Sequence, residues 1–415
     1  MRLLFLSKAL FWLGSFGAFV LSNLYLLRLG FGPEFIGTMN GVGLVAEAAV
    51  ALPAGELGRR WGSRNVIVVA EGVSALCFVG IAIAWLLPPD GRGAWLLGSN
   101  FVASLAFAAA LVNMTPFLME RTSSEERSHA FSIFSAVTTS AACLGSFGAG
   151  LLPAAVAPLL GATTQEAAPY GLGMLLAGLL LFPAALVLLG TAKRSPGADE
   201  AACRATEQLV TGPALPLRLA IAPIAVMTLA VLVRTAGDGS VNVFFNMYLD
   251  DGLRVPTALV GTLSALGQVL GIPAALLTPL MVRAWGNGRT YVLAVAGVAA
   301  ALVPLALVPR WQAAALSYTA IVALLAVAGP AGTVYQQSLV PPRWRPAMAG
   351  AVSMAFTGGW AIISFGGGFL VSGSGYRSLF LTGAGLVLAG ALIFWAYTRF
   401  TTELSMPASA GTTSG

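Results

Sequence analysis

Long apolar runs of roughly 20 residues or more recur along the whole chain and constrain its fold more than any other feature. The hydrocarbon core of a bilayer is about 30 Å thick, and a helix needs roughly 20 apolar residues to cross it. Because lipid offers the backbone no hydrogen-bond partners, runs this long and continuous are expected to be helices. The sequence therefore predicts an all-α membrane protein with twelve transmembrane helices, at residues 4–28, 35–57, 65–87, 93–118, 129–155, 169–190, 219–248, 256–281, 290–308, 312–339, 347–371 and 377–398.

Composition supports this class and excludes others. Of the 415 residues, 57% are hydrophobic and 9% are charged, and the mean hydropathy is +0.85. The chain has two lysines, and neither follows the glycine spacing of a P-loop, so ATP is not expected as the driver. His129 is the single histidine, which excludes a multi-histidine metal site, and the three cysteines show no pairing pattern. No cofactor or metal is expected.

Basic residues predict which loops face the cytoplasm. With both termini inside, sixteen basic residues, among them Lys8, fall on the cytoplasmic side, and five fall outside: Arg28, Arg92, Arg254, Arg310 and Arg377. This asymmetry predicts an N-in/C-in orientation in the cell (inner) membrane. It also accounts for the net charge of +6 without a nucleic-acid partner.

The chain divides into two similar halves. NLYLLRLGFGPEFIGTMNGVG from Asn23 aligns with NMYLDDGLRVPTALVGTLSALG from Asn246, and RRWGSRNVIV from Arg59 aligns with RAWGNGRTYVL from Arg283. A parallel duplication of this kind is typical of one large class of secondary transporters. We predict two pseudosymmetric six-helix bundles, at 1–190 and 219–399, joined by a cytoplasmic linker at 191–218 and followed by a disordered tail at 400–415.

The loop between the second and third spans carries a family motif. The chain resembles the major facilitator superfamily pattern G-x-L-x-D-R-x-G-R-R at Gly55, Leu57, Arg60, Gly62 and Arg64. The resemblance implies the two-bundle fold and transport by alternating access. It also implies a cytoplasmic gate, at Gly55, Glu56, Arg59, Arg60, Gly62, Arg64, Glu120 and Arg283.

The chain departs from this pattern at Arg59, where the family has an acidic residue that helps to latch the two halves together. Glu56 and Glu120 are candidates to replace that acid. The alternative interpretation is that these residues only anchor the loops in the cytoplasm.

The seventh span carries two full charges, Arg234 and Asp238, in an otherwise apolar run. A charged residue at the bilayer centre costs about 2.5–3.5 kcal/mol on insertion scales, so such residues normally pair and face the bundle interior. Being four residues apart, the two lie on one helix face, which continues to Asn242 and Asn246 and is expected to meet water or a partner. In the functional hypothesis Asp238 binds and releases a proton, while Arg234 competes for its carboxylate or holds an anionic substrate group. The alternative is a permanent ion pair that fixes helix packing.

Two further acids lie inside predicted spans. Glu47 is near the middle of the second span, and its duplicate position is Gly271, so its charge belongs to one half only. It is a candidate proton or substrate site, with a neutral, hydrogen-bonded carboxylic acid as the alternative. Glu71 lies about two turns from the cytoplasmic end of the third span. There it can reach toward Arg64 or the interface, and a structural role is favoured.

Glycines recur in two spans at spacings that favour close helix packing. They are Gly145, Gly148 and Gly150 in the fifth span, and Gly366, Gly367 and Gly368 in the eleventh. We favour packing over ligand contact for these positions.

Polar and aromatic residues on the spans expected to line a central cavity are the candidate substrate ligands. They are Asn23, Asn113, Asn242, Asn246, Gln268, Tyr335, Gln336 and Trp360. Each has the alternative role of a hydrogen bond between helices. Together they describe a mainly apolar pocket with a few amides, suited to a small amphiphilic or hydroxylated solute.

The resulting hypothesis is a monomeric, proton-coupled secondary transporter, not an enzyme, that exports amphiphilic compounds across the lipid bilayer. Uptake of a sugar or organic anion with Arg234 as anchor is the close alternative, and sodium is the alternative coupling ion. A membrane-embedded enzyme and a passive channel are the alternatives from other classes.

Overall fold

A computed structural model describes residues 2–122, 126–190, 218–341 and 344–404. Most of the predicted linker, residues 191–217, lies outside the described residues, as do residues 405–415 of the predicted tail. The last helix ends at Leu404, a few residues beyond the predicted start of the tail at residue 400.

The described chain is helical almost throughout. Its helices are α1 (Arg2–Arg28), α2 (Pro33–Trp61), α3 (Ser63–Ala82), α4 (Pro89–Met119), α5 (Arg127–Val156), α6 (Ala167–Leu179), α7 (Leu181–Leu189), α8 (Arg218–Met247), α9 (Thr257–Leu307), α10 (Trp311–Ser338) and α11 (Arg345–Leu404). Short 3-10 helices, Ile83–Leu86 and Ala157–Leu160, follow α3 and α5, and a π-helical turn, Tyr248–Gly252, follows α8.

Nine helices of the described ranges are long and apolar enough to cross a membrane. The number becomes ten if the two parts of α2, Pro33–Ala51 and Pro53–Trp61, which meet at 50°, count as one span. Pro53 explains this bend, because proline removes a backbone hydrogen bond and its ring crowds the preceding turn.

Two of the helices are too long for a single crossing and are broken at a glycine. Helix α9 has 51 residues, which at 1.5 Å each come to about 77 Å, and α11 has 60. Gly286 in α9 and Gly375 in α11 have φ of +77° and +78°, which glycine adopts far more readily than other residues. Gly62, between α2 and α3, has φ of +83°, and it is the residue that aligns with Gly286 in the duplication. The two halves therefore share this break.

Helices pack mainly within their own half, and among the described residues three helix pairs make the most extensive contacts between the halves. In the first half α1 packs on α5, α6 and α7. In the second half α8 packs on α11, and α10 packs on α9. Between the halves α2 packs on α11, α5 packs on α9, and α1 meets α8. We call this contact between the halves the seam. The largest hydrophobic cluster extends across the seam and includes Leu24, Phe244 and Val260.

Glycines make the closest approaches at the seam. A β-carbon on Gly150 of α5 would come 2.8 Å from the Cα atom of Gly261 on α9, and one on Gly368 of α11 would come 2.5 Å from the carbonyl oxygen of Pro33. Within the first half, Gly145 packs against the backbone of Leu13 in the same way. These contacts agree with the packing role predicted for Gly145, Gly150 and Gly368, whereas a β-carbon on Gly148 or Gly366 would meet nothing within 4 Å.

Substitution of Gly150 by leucine should destabilise the protein, whereas the same substitution at Gly148 should not. A β-carbon at Gly148 meets nothing within 4 Å, so Gly148→Leu is a matched control on the same helix. Overpacking a tight contact costs about 1–3 kcal/mol, and a fall in the thermal midpoint of the purified protein measures it. Equal midpoints for the two variants would contradict the close α5–α9 contact.

Candidate functional site

Arg234 and Asp238 form the ion pair that their spacing predicts. Nη1 of Arg234 donates to Oδ2 of Asp238 at 2.5 Å, and Nε1 of Trp360, on α11, donates to Oδ1 at 3.0 Å. Oδ2 therefore accepts a charge-assisted hydrogen bond, and Oδ1 accepts a hydrogen bond from the indole ring. Arg234 is 8% exposed and Asp238 1% exposed.

Helices of the second half enclose this pair. Gly390 of α11 lies against the backbone and β-carbon of Arg234, and Gly239 of α8 makes room for the Trp360 ring. Tyr291 of α9 lies beside the guanidinium of Arg234, and its ring packs on Phe394 with centroids 4.2 Å apart. The charges thus face protein rather than lipid, and at Asp238 the predicted polar face meets a partner helix rather than water.

Amides of the predicted substrate site connect helices near the seam. Nδ2 of Asn23 donates to the carbonyl oxygen of Val243 across the halves at 2.7 Å, and Asn40 donates to Oδ1 of Asn23 at 3.0 Å. In the second half Ser264 donates to Oδ1 of Asn246 at 3.0 Å. The duplication thus places a similar bond between the first two helices of each half.

The side-chain amides of Gln268 and Asn113 also donate hydrogen bonds to other helices. Nε2 of Gln268, on α9, donates to the Ser146 hydroxyl on α5 at 3.0 Å, across the seam. Nδ2 of Asn113, on α4, donates to the carbonyl oxygen of Ala54 on α2 at 2.9 Å, and its side chain packs on Gly58. Both residues therefore make hydrogen bonds between helices, which was the alternative to substrate contact for each.

The remaining predicted ligands lie on three helices of the second half, α8, α10 and α11. Asn242 is half-buried and donates weakly to the carbonyl oxygen of Asp238, at 3.4 Å, while Gln336 is buried on α10. Tyr335 lies in the last turn of α10 and packs on Phe394 at 5.1 Å. A cavity of about 700 Å³ lies elsewhere, lined by Leu253 and residues 308–313.

Glu47 of α2 is partly exposed and forms no hydrogen bond or ion pair with any residue in the part of the chain that the structure describes. It lies seven residues after Asn40, two helical turns along nearly the same face, and Asn40 bonds to Asn23 on α1. Gly43, one turn earlier, faces Ser104 and Asn100 of α4. Glu47 therefore lies on the side of α2 that faces other helices of its half.

A second ion pair, which the sequence reasoning missed, joins the two halves. Arg28, at the end of α1, makes two hydrogen bonds of 2.8 Å to the carboxylate of Asp250 in the π-helical turn, and also donates to the Tyr170 hydroxyl at 3.3 Å. Tyr170 in turn lies 2.6 Å from the Thr257 hydroxyl, again across the halves. We call Arg28, Asp250, Tyr170 and Thr257 the clasp.

The duplication contained the signal for the clasp. Arg28 stands five residues after Asn23, and Asp250 and Asp251 stand four and five residues after the equivalent Asn246. A twofold relation between halves brings equivalent helix ends together, so opposite charges at equivalent positions predict a pair.

Comparison with known proteins identifies the family. A model of the Major Facilitator Superfamily matches residues 4–337, most of the chain. The chain belongs to the major facilitator superfamily. It is accordingly a multi-pass membrane protein of a transporter family.

Solved structures share the fold at low identity. The nucleoside transporter NupG matches with a TM-score of 0.75 and 15% identity, covering 96% of this chain and 98% of that one. A bacterial Spinster homologue, inward-facing and unoccupied, gives 0.71 and 16%, with 97% of both chains covered. The D-xylose-proton symporter gives 0.72 and 15%, covering 95% of this chain and 96% of that one. A comparison with curated protein sequences gives no match.

The superfamily motif lies at the opposite end of the helices from the clasp. Glu56 accepts hydrogen bonds from Arg59 at 2.8 and 2.6 Å and from Arg60 at 2.5 Å, all on its own helix. Glu56 therefore neutralises the arginine that replaces the family's acid. Glu120 accepts from the Ser63 hydroxyl at 3.1 Å.

The other predicted gate residues are placed at the same end. Arg64 donates to the carbonyl oxygens of Leu188 and Leu189 at the end of α7, so it does not bind Glu71. Arg283 is exposed before the Gly286 break, and Gly55 and Gly62 are exposed on the first half. The cross-half hydrogen bonds of Asn23, Gln268, Arg28 and Tyr170 all lie nearer the other end of their helices.

Lys8 and Glu71 form a buried pair inside the first half. Nζ of Lys8 donates to Oε1 of Glu71, and both side chains are fully buried. Two expectations from the sequence are wrong here, because Lys8 is not a loop anchor and Glu71 does not reach toward Arg64. The partners are 63 residues apart, on α1 and α3, so no local spacing indicated them.

Proposed function

We propose that the protein is a proton-coupled secondary active transporter of a small organic solute. The observation that carries the proposal is the Arg234–Asp238 pair, which the second half encloses at mid-helix in a chain of a transporter family. Buried ionisable residues within membrane helices are costly and mark ion or substrate pathways. Among proteins of similar structure, the D-xylose-proton symporter is named for proton coupling.

We propose twelve crossings with both termini in the cytoplasm. The breaks at Gly286 and Gly375 divide α9 and α11 into two spans each, and α6 with α7 forms one. Six spans then fall on each side of the linker, and the positive-inside asymmetry orients them. Under this orientation the clasp lies at the outer face, and the molecule is a monomer closed to the outside.

In the proposed cycle the halves rock about the central site, and Asp238 exchanges a proton when they part. A protonated Asp238 no longer binds Arg234 as a charge, which frees the guanidinium for an anionic group or for water. Because Trp360 of α11 also holds Asp238, a shift of α11 relative to α8 would break the carboxylate's contacts. Glu47, which lacks a partner in the described chain, is the second candidate for proton coupling.

Amphiphilic compounds are the proposed cargo, with export as the direction. Asn23, Asn113, Asn246 and Gln268 are occupied by bonds to other helices or to their own half, which leaves an unoccupied lining that is largely apolar. Proton-driven uptake of a sugar or organic anion is the second candidate, because Arg234 is the only buried guanidinium at mid-helix in the described ranges and suits an anionic group.

Flux in sealed proteoliposomes tests the function. A thermal-shift screen of the purified protein first selects a bound compound, because specific binding stabilises the folded state. We expect that compound to accumulate against its gradient when a pH gradient is imposed. Accumulation driven by sodium alone would assign a different coupling ion. Movement only down its gradient would indicate a channel, and either result would overturn proton coupling.

A further inference from the structure

Lys8 and Glu71 are the most deeply buried ionisable pair in the described chain, and the cycle proposed above does not use them. Both side chains have no exposed surface, whereas Arg234 and Asp238 retain a small exposed fraction. Lys8 is six residues from the start of α1 and Glu71 is eight from the start of α3. The pair therefore lies about 9–12 Å from the helix ends proposed to be cytoplasmic.

The pair is poorly satisfied for a permanent structural link. Oε2 of Glu71 has no hydrogen-bond partner among the described residues, and neither have the hydroxyls of Ser74, one turn along α3, and Ser7, next to Lys8. The ammonium of Lys8 has three N–H donors, and besides Glu71 it meets the Phe11 ring at 5.4 Å. Removing two charges from water is repaid only when geometry is excellent and the remaining polar atoms are bonded.

Asp238 provides the contrast within the same protein. Its two oxygens accept from Arg234 and from Trp360, so its carboxylate form is held on both sides. Glu71 is held on one side only. Hydrogen bonds to the charged form favour that form, so Glu71 is the carboxylate that gains more by taking up a proton.

Lys8 and Glu71 are each other's ion-pair partners, and no other ion pair of either residue is found among the described residues. The ionisable groups of the elements packed against α1 and α3 are Glu34, Glu47, Glu56, Arg59 and Arg60 on α2, Asp90 and Arg92 on α4, Arg127, His129 and Cys143 on α5, Tyr170 on α6, and Arg218, Arg234 and Asp238 on α8, while α7 has none. On α3 itself, Arg64 bonds to carbonyls of α7 and Cys77 is half-buried.

We propose that Lys8 and Glu71 form a second proton-exchange site, inside the first six-helix half and separate from Asp238. The inference rests on the proposed proton coupling of transport. The carboxylate of Glu71 takes a proton from the cytoplasmic end and becomes a neutral acid, with the ammonium of Lys8 as the remaining charge. Loss of that proton restores the ion pair. Each half of the duplicated fold then contains one proton-exchange site.

Infrared difference spectroscopy of the full chain in lipid vesicles tests this site without a known cargo. Lowering the pH should produce a protonated-carboxyl band in the wild type. Glu71→Gln should lose a component of that band, and Asp238→Asn should keep this component. A pH-indicator dye should record about one proton fewer bound per molecule of Glu71→Gln, the stoichiometry of one carboxyl group.

A double variant keeps the test decisive if Glu71→Gln does not fold. Lys8→Met with Glu71→Leu replaces both charges by apolar groups of similar size, a change that is often neutral or stabilising. We expect it to fold and to lose the same carboxyl component. The second site would be overturned if either variant showed the protonated-carboxyl band at full wild-type intensity, because no part of the wild-type band would then come from Glu71. The proposed function fails separately, by unchanged driven transport in Asp238→Asn.

Discussion

Accumulation driven by a pH gradient should be lost in Asp238→Asn, while exchange of labelled for unlabelled cargo continues. An asparagine keeps the shape of the side chain and can still accept from Trp360, but it cannot bind and release a proton in the physiological range. Coupling needs that proton, whereas exchange needs only the rocking of the two halves. The measurement is uptake into proteoliposomes, with and without the gradient, beside equilibrium exchange.

The control for this prediction addresses folding. Asp238→Asn leaves the charge of Arg234 buried without its partner, and breaking a buried pair in this way costs about 3–5 kcal/mol. The double variant Arg234→Gln with Asp238→Asn removes both charges and should be more stable than the single variant, with the same loss of driven accumulation. Driven accumulation at the wild-type level in either variant would show that Asp238 is not the coupling carboxylate and that the ion pair is structural.

Reversal of the charge at Arg28 should open the end of the molecule that carries the clasp. Arg28→Glu replaces two charge-assisted hydrogen bonds to Asp250 by repulsion, and each such bond contributes about 1.5–3 kcal/mol. Arg28 is 14% exposed, so the lower part of that range is the better estimate for the clasp. We expect the population of the state that is open at this end to rise roughly 10- to 100-fold relative to the closed state.

Spin labels at Gln165 and Gln312 can measure this opening. Both residues are exposed, and they lie in different halves at the end that carries the clasp. The distance distribution between the labels should shift to longer values in Arg28→Glu. It should return in the charge swap Arg28→Asp with Asp250→Arg, and Arg310→Glu, an exposed charge change at the same end, should leave it unaltered. An unshifted distribution in Arg28→Glu would contradict the role of the clasp.

The predicted ion pair of α8 and the missed pairs differ in the range of their contacts. Arg234 and Asp238 are four residues apart, so the helix alone brings them together. Lys8 and Glu71 are 63 residues apart, and Arg28 and Asp250 are 222 apart. Which helix faces meet over such separations depends on how each helix is rotated in the bundle. Periodicity reveals that rotation in water-soluble proteins, but in a membrane the lipid-facing side is as apolar as the core.

The candidate substrate residues show the same limit. The sequence indicates which polar groups enter the membrane, because each interrupts an apolar run, but not whether they face a cavity or another helix. Asn23, Asn246 and Gln268 satisfy their amides at other helices, since an unsatisfied polar group in hydrocarbon is costly. The tertiary structure is therefore needed to distinguish amides that bond to other helices from side chains such as Glu47, which has no partner in the described chain.

The amino-acid sequence by itself determined the membrane environment, the helical class, the duplication and the Arg234–Asp238 pair. These follow from run length, from repetition and from spacing within one helix, all of which are local properties. The tertiary structure alone decided that Asp238 is enclosed, that Asp250 rather than Asp251 pairs with Arg28, and that Lys8 meets Glu71. Those outcomes depend on the relative rotation and depth of separate helices. The sequence does not reveal either, because the side of a helix that faces lipid is as apolar as the side that faces the core.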